Sequence, residues 1–246
     1  VVHTAAGDTF RGRRLVLGTG TTPYVPEALR SVVGSPGLDT VAAQPARPPS
    51  TTAIHSADYL QHKAALQATE SITVVGSGQS AAEVYADLLA DVDRCGYTLN
   101  WLTRSPRFFP MEYTKLTLEM TSPEYTAYFQ GLPAATRERL LASQRGLYKG
   151  ISSATIDTIF EMLRTRQVSL EPHQRRGETT LLTATEVTGA RREGDEITLD
   201  LHHTEVDDDF ALRTSSLVLA TGYRPQVPAF LTPVRDRIRW DERGRY

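Results

Sequence analysis

Apolar and polar positions along this chain follow two alternating periods. Ile72 to Val75 is a short β-branched apolar run, the pattern of a parallel strand buried on both faces. Gly76-Ser77-Gly78-Gln79-Ser80-Ala81 follows, and then a helical run to Leu89 with apolar Val84, Leu88 and Leu89. Tyr97 to Arg104, "YTLNWLTR", alternates as a second strand. From Ser105 to Arg166 the period turns helical. Ser122 predicts an N-cap with Pro123 at the first helical position. "PAATRERLLASQRGLYKG" predicts a helix closed by Gly146 or Gly150. "ISSATIDTIFEMLRTR" predicts another, with apolar Ile151, Ile156, Ile159, Phe160 and Leu163. Downstream, "EVTGARREGDEITLDLHH" predicts a hairpin turning at Glu193-Gly194-Asp195. Val1–His3 with Leu15–Leu17 predicts a second hairpin, and "WDERGRY" reads as the start of a strand.

Composition narrows the class without choosing within it. The 246 residues suffice for one or two domains, and 40% hydrophobic with 23% charged residues is ordinary for a globular protein. A formal charge of -2 gives no general attraction to nucleic acid or anionic lipid. No apolar run approaches the roughly 20 residues that span a bilayer. Cys95 is the only cysteine, so an intrachain disulfide, a CxxC redox pair and a thiolate zinc site are excluded within these residues. It is expected to be a small residue at a helix end, in a reducing cytoplasm. The opening at Val1 without Met, and the close inside a strand pattern, lead us to expect a piece of a longer polypeptide.

The strand–turn–helix context raises the G-x-G-x-x-A pattern at Gly76, Gly78 and Ala81 above a chance match. Gly76 allows the tight turn, Gly78 lets backbone approach a pyrophosphate, and Ala81 keeps the helix close to the strand. The helix N-terminus then faces the anion. At the tip of the next strand, where an NAD or FAD site places an acid for the ribose hydroxyls, stands Arg104. An arginine suits a 2′-phosphate, which favours NADPH. The alternative is a solvated surface charge.

"LVLGTGTTPYVP" (Leu15 to Pro26) and "LVLATGYRPQVP" (Leu217 to Pro228) are nearly the same phrase. Each reads as an apolar strand, a Thr-Gly turn and a proline-stiffened exit. This predicts an α/β chain with two dinucleotide-binding, Rossmann-like domains, each closing on a Thr-Gly crossover at Thr19-Gly20 and Thr221-Gly222. The NADPH domain is expected to be inserted in a first domain of the same design. Two Thr-Gly crossovers around an NADPH loop resemble the flavin-dependent monooxygenases and pyridine-nucleotide disulfide reductases, which implies that the first domain binds FAD. Residues 1–55 would end the FAD-binding part, 56–222 would form the NADPH domain with a helical insertion at about 106–166, and 223–246 would return to the FAD side.

Four stretches in order, "VVGSGQSAAEVYADL", "LTRSPRFFPMEYTKLTLEMTSPEYTAYF", "LYKGIS" with "IDTIFEML", and "LVLATGYRPQVP", resemble the siderophore-pathway amine N-hydroxylases. That family comprises lysine, ornithine and diamine hydroxylases of flavin monooxygenase type. The resemblance implies FAD and NADPH as cofactors, with dioxygen and a small-molecule primary amine as substrates. It also implies that NADP stays bound to keep water from the flavin, and that the amine must be neutral to react. No catalytic acid or base is implied, since the chemistry is the cofactor's. Gly76, Ser77, Gly78, Gln79 and Ser80 would cradle NADPH, with Gln79 near the flavin and Arg104 on the 2′-phosphate. Thr19, Gly20, Thr221 and Gly222 would line the junction with FAD.

Leu118 and Leu147 would face the substrate, where the ornithine hydroxylases carry asparagines that bind the amino-acid end. Leucines there favour a diamine such as cadaverine or putrescine, with lysine second. A homo-oligomer is left open. His55 admits either a cofactor contact or a structural hydrogen bond, while His202 and His203 read as a solvated hairpin rather than a metal site. Two other readings stand beside this one: a flavin monooxygenase of another substrate class, and an NADPH-binding fragment inactive on its own.

Overall fold

The computed structural model describes residues 1–14, 16, 18, 20–33 and 52–240, and the chain divides into two compact units. One comprises Val1–Thr22 with Tyr223–Tyr246, the other Pro23–Gly222. In chain order the first strands are β1 (Val2–His3), β2 (Thr9–Phe10), β3 (Thr21–Pro23) and β4 (Thr52–His55). Helix α1 (Tyr59–Gln67), strand β5 (Ser71–Val75), helices α2 (Gln79–Leu89) and α3 (Val92–Cys95), and strand β6 (Thr98–Leu102) follow. A helical stretch then holds α4 (Lys115–Leu118), α5 (Pro123–Gly131), α6 (Ala134–Ser143) and α7 (Ser153–Ser169). The chain returns to sheet with β7 (Thr179–Leu182), β8 (Thr185–Glu193), β9 (Glu196–His203), β10 (Asp208–Thr214), β11 (Ser216–Leu219) and β12 (Tyr223–Pro225).

In the larger unit, five parallel strands lie in the order β4-β11-β5-β6-β7. Side-chain alternation assigns each face. Ile72, Val74, Leu99, Trp101 and Val218 join the core beneath α2 and α7, whereas Val75, Leu102, Leu217 and Leu219 join Ile197, Leu199 and Leu201 of β9. The parallel sheet is thus covered by helices on one face and by the antiparallel β8-β9-β10 meander on the other. Burial on both faces explains why these strands are apolar at successive positions.

The predicted punctuation of the meander is present: Gly194 turns at φ +63 between β8 and β9. Ser122 caps α5 by accepting from the Tyr125 N–H, with Pro123 in its first turn. Cys95 ends α3, ahead of Gly96 at φ +84.

Several expectations need correction. Helix α6 stops at Ser143, ahead of Gly146 and Gly150, with Gln144 as its C-cap. Helix α7 starts only at Ser153, because Ile151 is fixed as an extended bridge to Pro110, and it runs on to Ser169. Phe160 is 58% exposed rather than on the buried stripe of α7, which Ile159 occupies. The larger compact unit comprises Pro23–Gly222, and β4 belongs to its parallel sheet.

In the smaller unit, Val2–His3 pairs with Thr9–Phe10 through a turn at Gly7. The arm expected at Leu15–Leu17 and the strand expected within "WDERGRY" lie outside the described residues, apart from Val16 and Trp240. Thr22 Oγ1 is within hydrogen-bond reach of both the Arg224 carbonyl (3.3 Å) and Gln226 Oε1 (3.2 Å).

Candidate functional site: the C-terminal edge of the parallel sheet

The register sets Leu219 beside both His55 and Val75, Val75 beside Leu102, and Leu102 beside Leu182, so all five strands end level. From β5 the chain works outward through β6 and β7, then comes back as β11 on the other side of β5. That reversal between β5 and β11 is a topological switch point, where open α/β sheets place their ligands.

Gly76 stands at this switch point. Its N–H donates to the Leu102 carbonyl (3.0 Å), and its own carbonyl accepts from Trp101 Nε1 (2.8 Å). A Cβ on Gly76 would run into the Ala220 carbonyl at the end of β11, so the close approach of the two strand ends admits only glycine. Gly78 differs. Its backbone is extended (φ -111, ψ -175), and a Cβ there would meet nothing within 4 Å. It is the N-cap of α2, and no side chain caps that helix. The first amide donors of α2 therefore have no side-chain acceptor, and the positive end of the helix dipole lies at the same place. Ala81 is fully buried against the sheet, as close helix–strand packing requires.

Ser77 and Ser80 are exposed beside this opening, and Arg104 is exposed just past the end of β6, with no ion-pair partner among the described residues. Gln79 points elsewhere. Its Oε1 accepts from the Ser152 N–H (2.7 Å), and its Nε2 donates to Thr155 Oγ1 (3.0 Å) and Glu83 Oε1 (2.9 Å). The side chain expected near a flavin is engaged at the start of α7.

A second tight turn follows β11. Gly222 adopts φ +83, and its carbonyl accepts from the Tyr24 N–H (2.9 Å) and from His55 Nε2 (3.1 Å). The Thr221 hydroxyl donates to the Tyr24 carbonyl. His55 Nδ1 accepts from the Ala57 N–H (3.2 Å), which puts the ring proton on Nε2 and fixes a neutral tautomer. Burial at the end of β4 lowers the His55 pKa, against an opposing pull from the Gly222 carbonyl and Asp58. His55 therefore makes structural hydrogen bonds to the Thr-Gly turn. Gly20, in the smaller unit, has a similar φ of +68, in keeping with the repeated phrase, while Thr19 lies outside the described residues.

The structure thus gathers Gly76, Ser77, Gly78, Ser80, Arg104, Thr221 and Gly222 along one sheet edge. Leu118 and Leu147 belong to the helical stretch between β6 and α7. Leu118 ends α4 and is 43% exposed, and Leu147 closes a 3-10 turn after α6. His202 hydrogen-bonds Asp209 across the β9–β10 ladder (2.9 Å). Among the described residues no group of His, Cys, Asp or Glu is arranged to hold a metal. Two contributors escaped the sequence reading. Trp101 holds the glycine turn by its indole N–H, and Ser152, readable as an N-cap from Ser152-Ser153-Ala154-Thr155, receives Gln79.

The sequence model of the family described as L-lysine 6-monooxygenase/L-ornithine 5-monooxygenase matches residues 1–225. This chain belongs to that family. It is 45% identical over 248 residues to the alcaligin biosynthesis enzyme of Bordetella pertussis, covering 99% of this chain and 49% of that protein. With the putrescine N-hydroxylase of Shewanella oneidensis it shares 44% identity over 237 residues, covering 96% of this chain and 43% of that protein. Among solved structures it is similar to FAD-bound DfoA, the desferrioxamine-pathway cadaverine monooxygenase of Erwinia amylovora. The TM-score is 0.78 at 48% identity, over 95% of this chain and 50% of that one. The chain therefore spans about half the length of the relatives it matches.

Proposed function

We propose that this chain supplies the NADPH-binding part of an FAD- and NADPH-dependent monooxygenase that N-hydroxylates a primary amine for hydroxamate siderophore biosynthesis. Pro23–Gly222 is then the nucleotide domain for NADPH, and Val1–Thr22 with Tyr223–Tyr246 belong to the FAD side, including Thr19 and Gly20. The observation that carries this is the uncapped start of α2 behind open Gly78, with exposed Arg104 past the neighbouring strand. The amides there suit a pyrophosphate, and Gly78, Ser77 and Ser80 leave it room. The Arg104 guanidinium suits the 2′-phosphate that distinguishes NADPH from NADH.

When bound, the two cofactors supply the redox chemistry and the activation of dioxygen. This chain's residues contribute binding, orientation and exclusion of water. The Trp101 indole and the Ala220 backbone fix the Gly76 turn, so the donors of α2 are already aimed before a nucleotide arrives. His55 and Tyr24 fix the Thr221-Gly222 turn beside it. A reacting alkylamine has an ordinary pKa of about 10 and must lose its proton, which a site of low polarity favours.

For the amine we favour a diamine, putrescine or cadaverine, over lysine. Leu118 and Leu147 offer alkyl surface and no hydrogen bonds to an amino-acid end, and the relatives named for putrescine and cadaverine are 44% and 48% identical. The test uses the full-length protein loaded with FAD, with hydroxylamine product followed for putrescine, cadaverine, lysine and ornithine in parallel. Product from the diamines is expected. Product from ornithine alone would keep the chemistry and overturn the substrate.

A further inference from the structure

The Gln79 side chain opens a line of hydrogen bonds that runs away from the glycine turn. Ser152, whose N–H it accepts, is the N-cap of α7, and the Ser152 hydroxyl in turn accepts from the Thr155 N–H (3.1 Å). Gln79 Nε2 also holds Thr155 Oγ1, which lies 2.8 Å from Ser152 Oγ. One residue earlier, fully buried Ile151 donates to the Phe109 carbonyl and accepts from the Met111 N–H, both at 2.9 Å. Phe109 to Met111 is where the chain enters the helical segment. The next residue, Glu112, donates to the Gly146 carbonyl (2.9 Å). A continuous hydrogen-bonded path therefore joins the first residue of α2 to both the entrance and the exit of the segment that carries Leu118 and Leu147.

We propose that Gln79 is a positioning residue that couples nucleotide binding at the start of α2 to the order of the helical segment between Pro110 and Ile151. The argument rests on the NADPH reading above. Gln79 is the first residue of α2, and its backbone lies in the turn that no side chain caps. An anion on these amides would suppress fraying of that turn and hold the Gln79 main chain still. A fixed main chain presents the side-chain amide to Ser152 and Thr155 with less entropy left to lose. Ile151 and its bridge to Pro110 then become firmer, and with them the base of the segment. By reciprocity, a ligand that orders this segment would tighten nucleotide binding.

Amide hydrogen exchange on the full-length, FAD-loaded protein, with and without NADP⁺, tests this directly. The Ser152 N–H is itself the reporter, since its acceptor is Gln79 Oε1. In the wild type NADP⁺ should slow exchange at Gly76–Ala82 and also at Met111, Ile151 and Ser152. The second group should slow by at least about fivefold, the lower end of ordinary coupling between sites. Gln79→Leu, of similar size but without hydrogen bonds, should keep the first protection and lose the second. Thr155→Val, which leaves the glycine turn untouched, should weaken the second in the same way. Gln79→Glu retains the acceptor for the Ser152 N–H and should recover part of it.

Two results would overturn the proposal. One is NADP⁺ protection at Met111 and Ile151 that survives both Gln79→Leu and Thr155→Val. The other is faster exchange at Ser152 on adding NADP⁺, which would mean that the nucleotide pulls Gln79 off α7. Absence of any NADP⁺ effect at Gly76–Ala82 in the wild type would be a different failure, that of the nucleotide site, and would take this inference with it.

Discussion

Two glycines two residues apart do different work, and substitution separates them. A Cβ at Gly76 meets the Ala220 backbone, which cannot move without disturbing β11, so Gly76→Ala should destabilise the fold by about 3 kcal/mol in urea denaturation. A Cβ at Gly78 meets no protein atom. Gly78→Ala should therefore cost under about 1 kcal/mol of stability. Its larger effect should be on NADP⁺, with Kd raised at least about tenfold in calorimetric titration as the pyrophosphate is held off. Arg104 separates cofactors in the same spirit. Arg104→Ala should raise KM for NADPH about 10- to 100-fold and leave KM for NADH unchanged, as loss of one charged hydrogen-bonding group would. At this scale the sequence was informative wherever a residue's role is set by its neighbours along the chain. The turn, the open glycine and the strand-tip arginine all follow from the order of residues 72–104. Gln79 did not, because its partners Ser152 and Thr155 are more than seventy positions away.

Within the larger unit, helix α7 is held at both ends. Gln79 meets its start, and near its other end Arg166 donates to both Asp93 oxygens (2.7 and 2.9 Å), to Thr179 Oγ1 (3.3 Å) and to the Gly177 carbonyl. That guanidinium pair, the largest influence on the carboxyl, holds Asp93 below the ordinary carboxylate value of 3.8. A depressed carboxylate adds stability above its unfolded pKa, and the gain is lost as pH falls through the folded value. Arg166→Ala should cost about 2–3 kcal/mol near neutral pH. Its stability should also fall less steeply than the wild type's below about pH 4, measured by urea denaturation across that range. Elements were legible where a period or a cap marked them: β5, α2, the meander and α5. The end of α6 was missed because Gly146 and Gly150 looked like stops, whereas the helix gives out at Ser143 before reaching either. Strand β4 is only Thr52–His55, too short to show a period, and it is a strand because β11 pairs with it.

For the molecule as a whole, the repeated Thr-Gly phrase was the most informative part of the sequence. It predicts two similar Thr-Gly turns more than 200 residues apart, and both glycines, Gly20 and Gly222, take positive φ. The boundary between units was less visible, since membership of β4 in the sheet is decided by pairing alone. The substrate side was the least legible, because Leu118 and Leu147 carry no pattern of their own and entered only through the resemblance to a family. The central claim is that the open start of α2 holds the NADPH of an amine N-hydroxylase. Its most direct test is the ratio of hydroxylamine formed to NADPH oxidised by the full-length, FAD-loaded protein with cadaverine and with putrescine. The account predicts a ratio of roughly one with at least one diamine, and a fall in NADPH oxidation rate, at subsaturating NADPH, in Gly78→Ala. NADPH oxidation that yields only peroxide with every amine, at a rate indifferent to Gly78→Ala, would contradict it.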